Sequence, residues 1–188
     1  MSKFFTLPVV GFHGPERAGK DTAAAVFVSR GWHHVKFADP LYEEVYNLHP
    51  RLMEVADADK DKPLPWAGGL SKRDLLISHG QARRSRDPDY WVRKWVRTVR
   101  ARIQEGYPVV CSDVRMRNEA EAIFGLDGVV IGIRRPGVDF RGGATSTDHT
   151  KEWASAVVVN DGPIEGFQSK MAVMVRHIEA LNREMRFA

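Results

Sequence analysis

Gly14-Pro15-Glu16-Arg17-Ala18-Gly19-Lys20-Asp21-Thr22 joins an apolar run, Val9-Val10-Gly11-Phe12, to an alanine-rich one, Ala23-Ala24-Ala25. The first run reads as a strand and the second as a helix, so the stretch between them is a strand-to-helix turn. Its spacing is G-x-x-x-x-G-K-D-T. The two glycines permit a tight path, because glycine accepts positive φ. A loop of this kind wraps its backbone N–H groups around phosphates, its lysine reaches the β- and γ-phosphates, and the helix that follows points its positive end at the same anion. Ser or Thr ordinarily follows the lysine. Here Asp21 does, and then Thr22; either could serve Mg²⁺, and spacing alone does not choose. The plain alternative is an ordinary turn with Asp21 as an acidic first-turn residue. The position of the motif, after the first strand and before a helix of small residues, favours phosphate binding.

Working outward, 188 residues with 43% hydrophobic content are enough for one domain with a sizeable core. The sequence has no run of about eighteen apolar residues that would span a membrane. Met1-Ser2-Lys3-Phe4-Phe5 is too short, and too soon a strand, for a signal peptide. The single cysteine, Cys111, excludes an internal disulfide and suits a reducing cytoplasm. It follows Val109-Val110 and reads as a buried small hydrophobe rather than a nucleophile. A net charge of +4 suits anionic small molecules as well as nucleic acid.

Strands and helices alternate along the chain. Strands are expected at Val9–Phe12, His33–Phe37, Val109–Ser112, Val129–Ile133 and Ala156–Val159. Helices are expected over Lys20–Arg30, from Asp39-Pro40 with Asp39 as N-cap, from Ser71 to about His79, from Asp89 to Gln104, over Asn118–Phe124, and from Ile164 to about Arg186. Ser71 with Asp74 resembles a capping box. Residues 57 to 69 read as an exposed loop. Trp91, Trp95, Val99 and Ile103 recur every four residues on the inner face of the Asp89–Gln104 helix. Such alternation implies a parallel sheet covered on both faces, with ligands at the carboxyl ends of its strands. The glycine loop, Asp39, Asp113 and Arg134 all fall just past expected strand ends.

Those positions carry the chemistry that phosphoryl transfer needs: neutralised charge, a metal ion and in-line positioning. Asp113 could hold metal-bound water or orient the attacking group, or simply cap a helix. Arg115 and Asn118 could contact an acceptor or the ion. Arg83, Arg84 and Arg86 precede Asp87-Pro88-Asp89, and one of the three is suited to a substrate phosphate, which a guanidinium grips with two hydrogen bonds. Arg93, Lys94, Arg97 and Arg100 read as the wet face of their helix rather than a nucleic-acid stripe, since no aromatic residues interleave with them. Arg134 and Arg135 open a Gly- and Thr-rich segment and could stabilise transition-state charge. His149 and Glu152, three apart, have the spacing of one helix face; zinc would need more ligands than they supply.

Taken in order, Gly19-Lys20-Asp21-Thr22, Phe37-Ala38-Asp39-Pro40-Leu41, Gly80 with Arg84 and Asp87-Pro88-Asp89-Tyr90-Trp91, Ser112-Asp113-Val114-Arg115 with Asn118-Glu119, Arg134-Arg135-Pro136, His149 with Glu152, and Asn160-Asp161-Gly162 resemble the phage-type deoxynucleoside monophosphate kinases, members of the adenylate-kinase-like P-loop group. The resemblance covers nearly the whole chain. It implies a three-layer α/β P-loop fold with a central parallel five-stranded sheet, a helical substrate-binding insert over about 40–90 and a small lid over about 135–152. It implies transfer of the ATP γ-phosphate to a deoxynucleoside monophosphate with Mg²⁺. Gly14, Gly19, Lys20, Asp21, Thr22 and Arg135 would hold ATP. Asp39, Arg84, Trp91 and Asn118 would serve the acceptor. Lys20, Asp113, Arg115 and Arg134 would line the reaction centre, with Asp21 and Asp113 as the metal carboxylates. The implied partners are nucleotides alone, in the cytoplasm (the host's, if phage-encoded), with no stable nucleic-acid or membrane binding and a homodimer left open. Two other readings stand beside it: a different small-molecule P-loop kinase, such as one acting on dephospho-coenzyme A, and a non-catalytic ATP-dependent binding module.

Overall fold

A computed structural model describes residues 8–141 and 147–184. The expectation for Met1 to Phe5, part of the proposed lid segment and the end of the last helix therefore lie outside the described residues. The five strands are β1 (Val9–His13), β2 (His33–His34), β3 (Val109–Val114), β4 (Val129–Arg134) and β5 (Ala156–Val159). They form one all-parallel sheet in the order β2-β3-β1-β4-β5. Every residue of β1 is buried, as befits the central strand of a sheet covered on both faces. Among the described residues, seven helices accompany the strands: α1 (Lys20–Val28), α2 (Asp39–Leu48), α3 (Lys72–Arg86), α4 (Tyr90–Gln104), α5 (Arg117–Phe124), α6 (Thr150–Trp153) and α7 (Ile164–Glu184).

The chain divides into two compact units. One comprises the chain up to Lys36 and from Val96 onward; the other is Phe37–Trp95. The first holds the sheet. Its larger core packs Phe12, Ala23, Ala24 and Phe27 with Val110, Ile131, Ile133, Phe167, Met171 and Val175. On the other side of β1, a Cβ at Gly11 would sit 2.4 Å from Cδ1 of Ile123, so α5 can lie close only because that side chain is missing. The second unit is helical, with a small core of Val45, Leu52 and Leu76.

Several sequence expectations need correction. β2 is two residues long, although Val35 still donates its N–H to Val110 O at 3.0 Å. Asp39 is the first residue of α2 and Ala38 its N-cap, so Asp39 favours the helix dipole instead of capping it. The Ser71–Asp74 capping box is present, but α3 continues past Gly80 to Arg86. Glycine lowers helix propensity by about 1 kcal/mol. Here packing offsets that cost, since a Cβ at Gly80 would lie 3.4 Å from Leu41 and the Gly80 carbonyl accepts the Trp91 indole N–H. The arginine cluster therefore sits in the last turn of a helix, where cations suit the dipole. The loop over 57–69 contains two short 3₁₀ turns, at Asp57–Asp59 and Pro65–Ala67. Asp113 lies within β3 rather than past its end, and Arg134 is the last residue of β4.

Candidate active site

The glycine loop follows β1, and its shape is backbone-determined. Gly14 has φ 154° and Gly19 φ 110°, while Arg17 takes φ 65°. A Cβ at Gly14 would stand 2.3 Å from the Ile133 carbonyl oxygen, and one at Gly19 would stand 2.7 Å from Nδ2 of Asn160. Asn160, the first residue of the Asn160-Asp161-Gly162 motif, is a clasp. Its buried side chain donates to Ala18 O at 2.9 Å and its backbone N–H donates to Arg134 O at 2.7 Å. The loop is thereby tied to the ends of β4 and β5.

Gly19 occupies the N-cap of α1 and offers no side chain to the first-turn amides, which leaves them for an anion. Lys20 Nζ donates to Gly14 O at 2.8 Å and Pro15 O at 2.7 Å. Burial and the nearby Arg115 lower its pKa to about 8, partly offset by Asp21, Glu16 and Asp113. Arg115 and Asp113 are thus among the charges that act on the lysine. A cavity of about 360 Å³ opens over this loop. Arg17, Lys20, Thr22 and Arg135 line it, and Ile164 and Phe167 add apolar wall. Basic groups beside apolar surface suit a ligand that is polyanionic at one end and a ring at the other.

Asp21 has partners that the sequence did not disclose. Ser112 Oγ donates to its Oδ1 at 2.7 Å, Lys36 Nζ sits 3.0 Å from the same oxygen, and His34 Nε2 lies 2.9 Å from Ser112 Oγ. Burial would raise the Asp21 pKa, but these hydrogen bonds and the Lys36 charge overcome it and hold the carboxyl below its ordinary value. Asp113, the neighbour of Ser112, accepts the Cys111 thiol at 3.1 Å. Cys111 is fully buried, and burial with the Asp113 charge pushes its pKa well up, so it is no nucleophile. The Glu119 carboxylate accepts the amides of Arg115 (2.7 Å) and Met116 (3.0 Å), fixing the turn into α5, whose first turn carries Asn118. Arg134 donates to Asp148 at 2.6 Å and lies over the Phe140 ring, so Arg135 and not Arg134 lines the cavity. His149 Nδ1 lies 3.3 Å from Glu152 Oε2, as the helix-face expectation had it.

In the Phe37–Trp95 unit, Glu44 is the centre of a polar cluster. Its Oε2 meets His79 Nε2 at 3.0 Å and Arg83 at 3.2 Å, and its Oε1 meets Tyr90 Oη at 2.5 Å and Lys94 Nζ at 2.7 Å. Lys94 is thus half-buried and paired, not simply on the wet face. Of the three candidate arginines, Arg83 is held by Glu44 and lies over Tyr90, Arg86 is exposed, and Arg84 lies near Gly80 beside Leu41. Trp91 is buried, its indole N–H taken by Gly80 O at 3.2 Å. It shapes the unit from inside and offers no face to a ligand, which corrects its place among substrate-contacting residues. Asp39 is exposed on the first turn of α2.

An all-parallel five-stranded sheet with this loop after its central strand is the α/β fold of the P-loop kinases. Over 92% of its length the chain superposes on 98% of dephospho-CoA kinase from Campylobacter jejuni, with a TM-score of 0.54 at 11% identity. A protein from Thermus thermophilus matches over 89% of this chain and 96% of its own, with a TM-score of 0.50 and 18% identity. By sequence, the chain is 28% identical over 197 aligned residues to a protein of Acanthamoeba polyphaga mimivirus named "Putative deoxynucleotide monophosphate kinase"; the alignment covers 93% of this chain and 99% of that one. No family model matches the chain. Among the described residues, no helix is long and apolar enough to cross a membrane.

Proposed function

We propose that this protein is an ATP-dependent deoxynucleoside monophosphate kinase, giving a deoxynucleoside diphosphate and ADP. The observation that carries the ATP half is the convergence of Arg17, Lys20 and Arg135 with the uncapped start of α1 around one cavity. The acceptor half rests on the sequence relationship to the mimivirus protein. ATP phosphates lie against the amides of the Gly14–Thr22 loop. Lys20, with its pKa near 8, is cationic at neutral pH and neutralises charge that grows on the transferred group. Arg115 adds positive charge beside it, and Asp113 and Asn118 orient the reacting oxygens. Arg134 and Arg135 belong to the ATP side, at the start of the lid segment over about 135–152. The Phe37–Trp95 unit carries the acceptor-binding residues, with Asp39 and Arg84 as its polar contacts. Catalysis is positioning and electrostatics, without a covalent intermediate.

The donor set fits Mg²⁺. Asp21 is held ionised, and no group of three or more His, Cys, Asp or Glu gathers among the described residues. A cation that binds through one or two carboxylates and substrate phosphates suits that arrangement. Asp21 and Asp113 are the carboxylates that would hold it, and when bound it supplies neutralisation of the phosphate oxygens.

A panel of acceptors with ATP and Mg²⁺ tests the reading: each deoxynucleoside monophosphate alone, and dephospho-coenzyme A. Transfer to one or more deoxynucleoside monophosphates is expected. Phosphorylation of dephospho-coenzyme A alone would replace this reading by that of another small-molecule kinase. ATP binding with no transfer to any acceptor would favour a binding module.

A further inference from the structure

In P-loop enzymes the loop residue after the lysine ordinarily contributes a hydroxyl to the metal, and a neighbouring strand contributes the carboxylate. Here β3 keeps a carboxylate, Asp113, but the residue after the lysine is not a hydroxyl. The loop supplies a carboxylate, Asp21, and β3 supplies a hydroxyl, Ser112, at 2.7 Å from it. Strand geometry explains how Ser112 reaches that position. Gly11 pairs with Cys111 and His13 with Val114, so β3 takes three steps where β1 takes two. This extra residue is a bulge spanning Ser112 and Asp113, and bulges re-aim side chains.

The direction of the hydrogen bonds follows from valence. An ionised carboxylate only accepts, so the Ser112 hydroxyl donates to Asp21. Its single proton is then used, and His34 Nε2, 2.9 Å away, must donate its N–H to Ser112 Oγ. Lys36 meets the same Asp21 oxygen, Oδ1, at 3.0 Å. Both contacts therefore end on Oδ1 and leave Oδ2 for a ligand.

We propose that Asp21 and Ser112 form a carboxylate–hydroxyl pair serving the magnesium of bound ATP, with His34 as a positioning residue that fixes the direction of the Ser112 hydroxyl. The inference rests on the ATP-dependent reading above and adds two residues, Ser112 and His34, that neither the loop motif nor that reading requires.

Calorimetric ATP binding, in Mg²⁺ and again in EDTA, tests it without relying on turnover. In the unaltered protein Mg²⁺ tightens ATP binding. Asp21→Asn and Ser112→Ala each reduce that tightening about tenfold or more and change binding in EDTA less than about threefold. His34→Phe also reduces it, whereas His34→Gln, whose amide can donate the same hydrogen bond, retains most of it. The exchanged variant Asp21→Ser/Ser112→Asp recovers part of what either single loses. Thermal unfolding and far-UV circular dichroism confirm that each variant is folded. A Ser112→Ala protein that keeps the full magnesium effect overturns the pair, and equal behaviour of His34→Phe and His34→Gln overturns the positioning role. Absence of ATP binding by the unaltered protein under both conditions would instead overturn the kinase reading itself.

Discussion

The phosphate loop of the sheet unit and the Glu44 cluster of the helical unit both hold positive charge in place, by opposite means. Lys20 is held by two backbone carbonyls, on a loop whose path depends on glycines with positive φ. Arg83 and Lys94 are held by one side-chain carboxylate, which also meets the His79 ring. A backbone-made site can be written in nine consecutive residues. A side-chain-made site draws on partners 35, 39 and 46 positions from Glu44, and only folding brings them together. The loop should consequently fail through its chemistry or its backbone, and the cluster through its protonation.

The largest effect is expected at Lys20. Lys20→Met should lower kcat by about a hundredfold or more, equivalent to roughly 3 kcal/mol of transition-state stabilisation. The melting temperature should stay near that of the unaltered protein, because an ammonium disfavoured by burial is being removed. Steady-state kinetics with a deoxynucleoside monophosphate, run beside thermal unfolding, check both halves. Near-normal turnover would break the comparison at its strongest point.

Gly14→Ala comes next. Its new Cβ would meet the Ile133 carbonyl at 2.3 Å in a backbone region that L residues avoid, so about 2–4 kcal/mol of stability should be lost. Gly137→Ala is the control, with positive φ of 74° but nothing within 4 Å of the added carbon; about 1 kcal/mol is expected there. Denaturant unfolding of the two variants separates close approach from conformational strain. Equal losses would mean that the loop is not locked against β4.

The same contrast explains what the sequence disclosed. The strand–loop–helix start, all five strands and the Ser71–Asp74 cap rest on short-range spacing, and each is visible in consecutive residues. α3 was read as ending near His79 because Gly80 is a poor helix former, and nothing local reveals that Leu41 and Trp91 pack against it. The spacing of Trp91 places it on the inner face of its helix and the resemblance places it near the acceptor, but the buried hydrogen bond to Gly80 that joins two helices is not visible locally. Ser112 could not be matched with Asp21 from sequence, because that contact needs the β3 bulge and spans a separation of 91 positions.

Glu44 should show its effect through pH. Burial alone would raise its pKa, but hydrogen bonds from Lys94, Tyr90 and His79, together with the Lys94 charge, hold it at about 2 against an ordinary 4.5. A depressed carboxylate contributes stability that is fully present above the unfolded value and is lost as pH falls through the folded one. The loss should therefore fall between about pH 4.5 and 2. Glu44→Gln should cost about 1–2 kcal/mol at neutral pH, the low part of the range for charged hydrogen bonds, since Arg83 and Lys94 keep access to water. It should also flatten the acid limb of the stability curve. Urea unfolding from pH 7 to pH 3 measures both, and an unchanged acid limb would show that Glu44 does not bind its partners as one group.

The smallest effect sharpens the comparison from the other side. Arg30, just past the end of α1, and Glu179 on α7 make a close ion pair, with Arg30 Nη2 2.6 Å from Oε2. By distance alone it equals the contacts of Glu44. It differs chiefly in having a single partner, and its carboxylate, 23% exposed, is somewhat more open to screening by water and salt. Arg30→Ala should consequently move the melting temperature much less than Glu44→Gln does, and the difference from the unaltered protein should shrink as sodium chloride is raised. The Glu44→Gln difference should persist at the same salt, because its carboxylate is only 17% exposed and its partners surround it. If the two variants lost stability equally and with equal salt dependence, the number of partners and their burial would not be what separates a structural charge cluster from a surface pair in this protein.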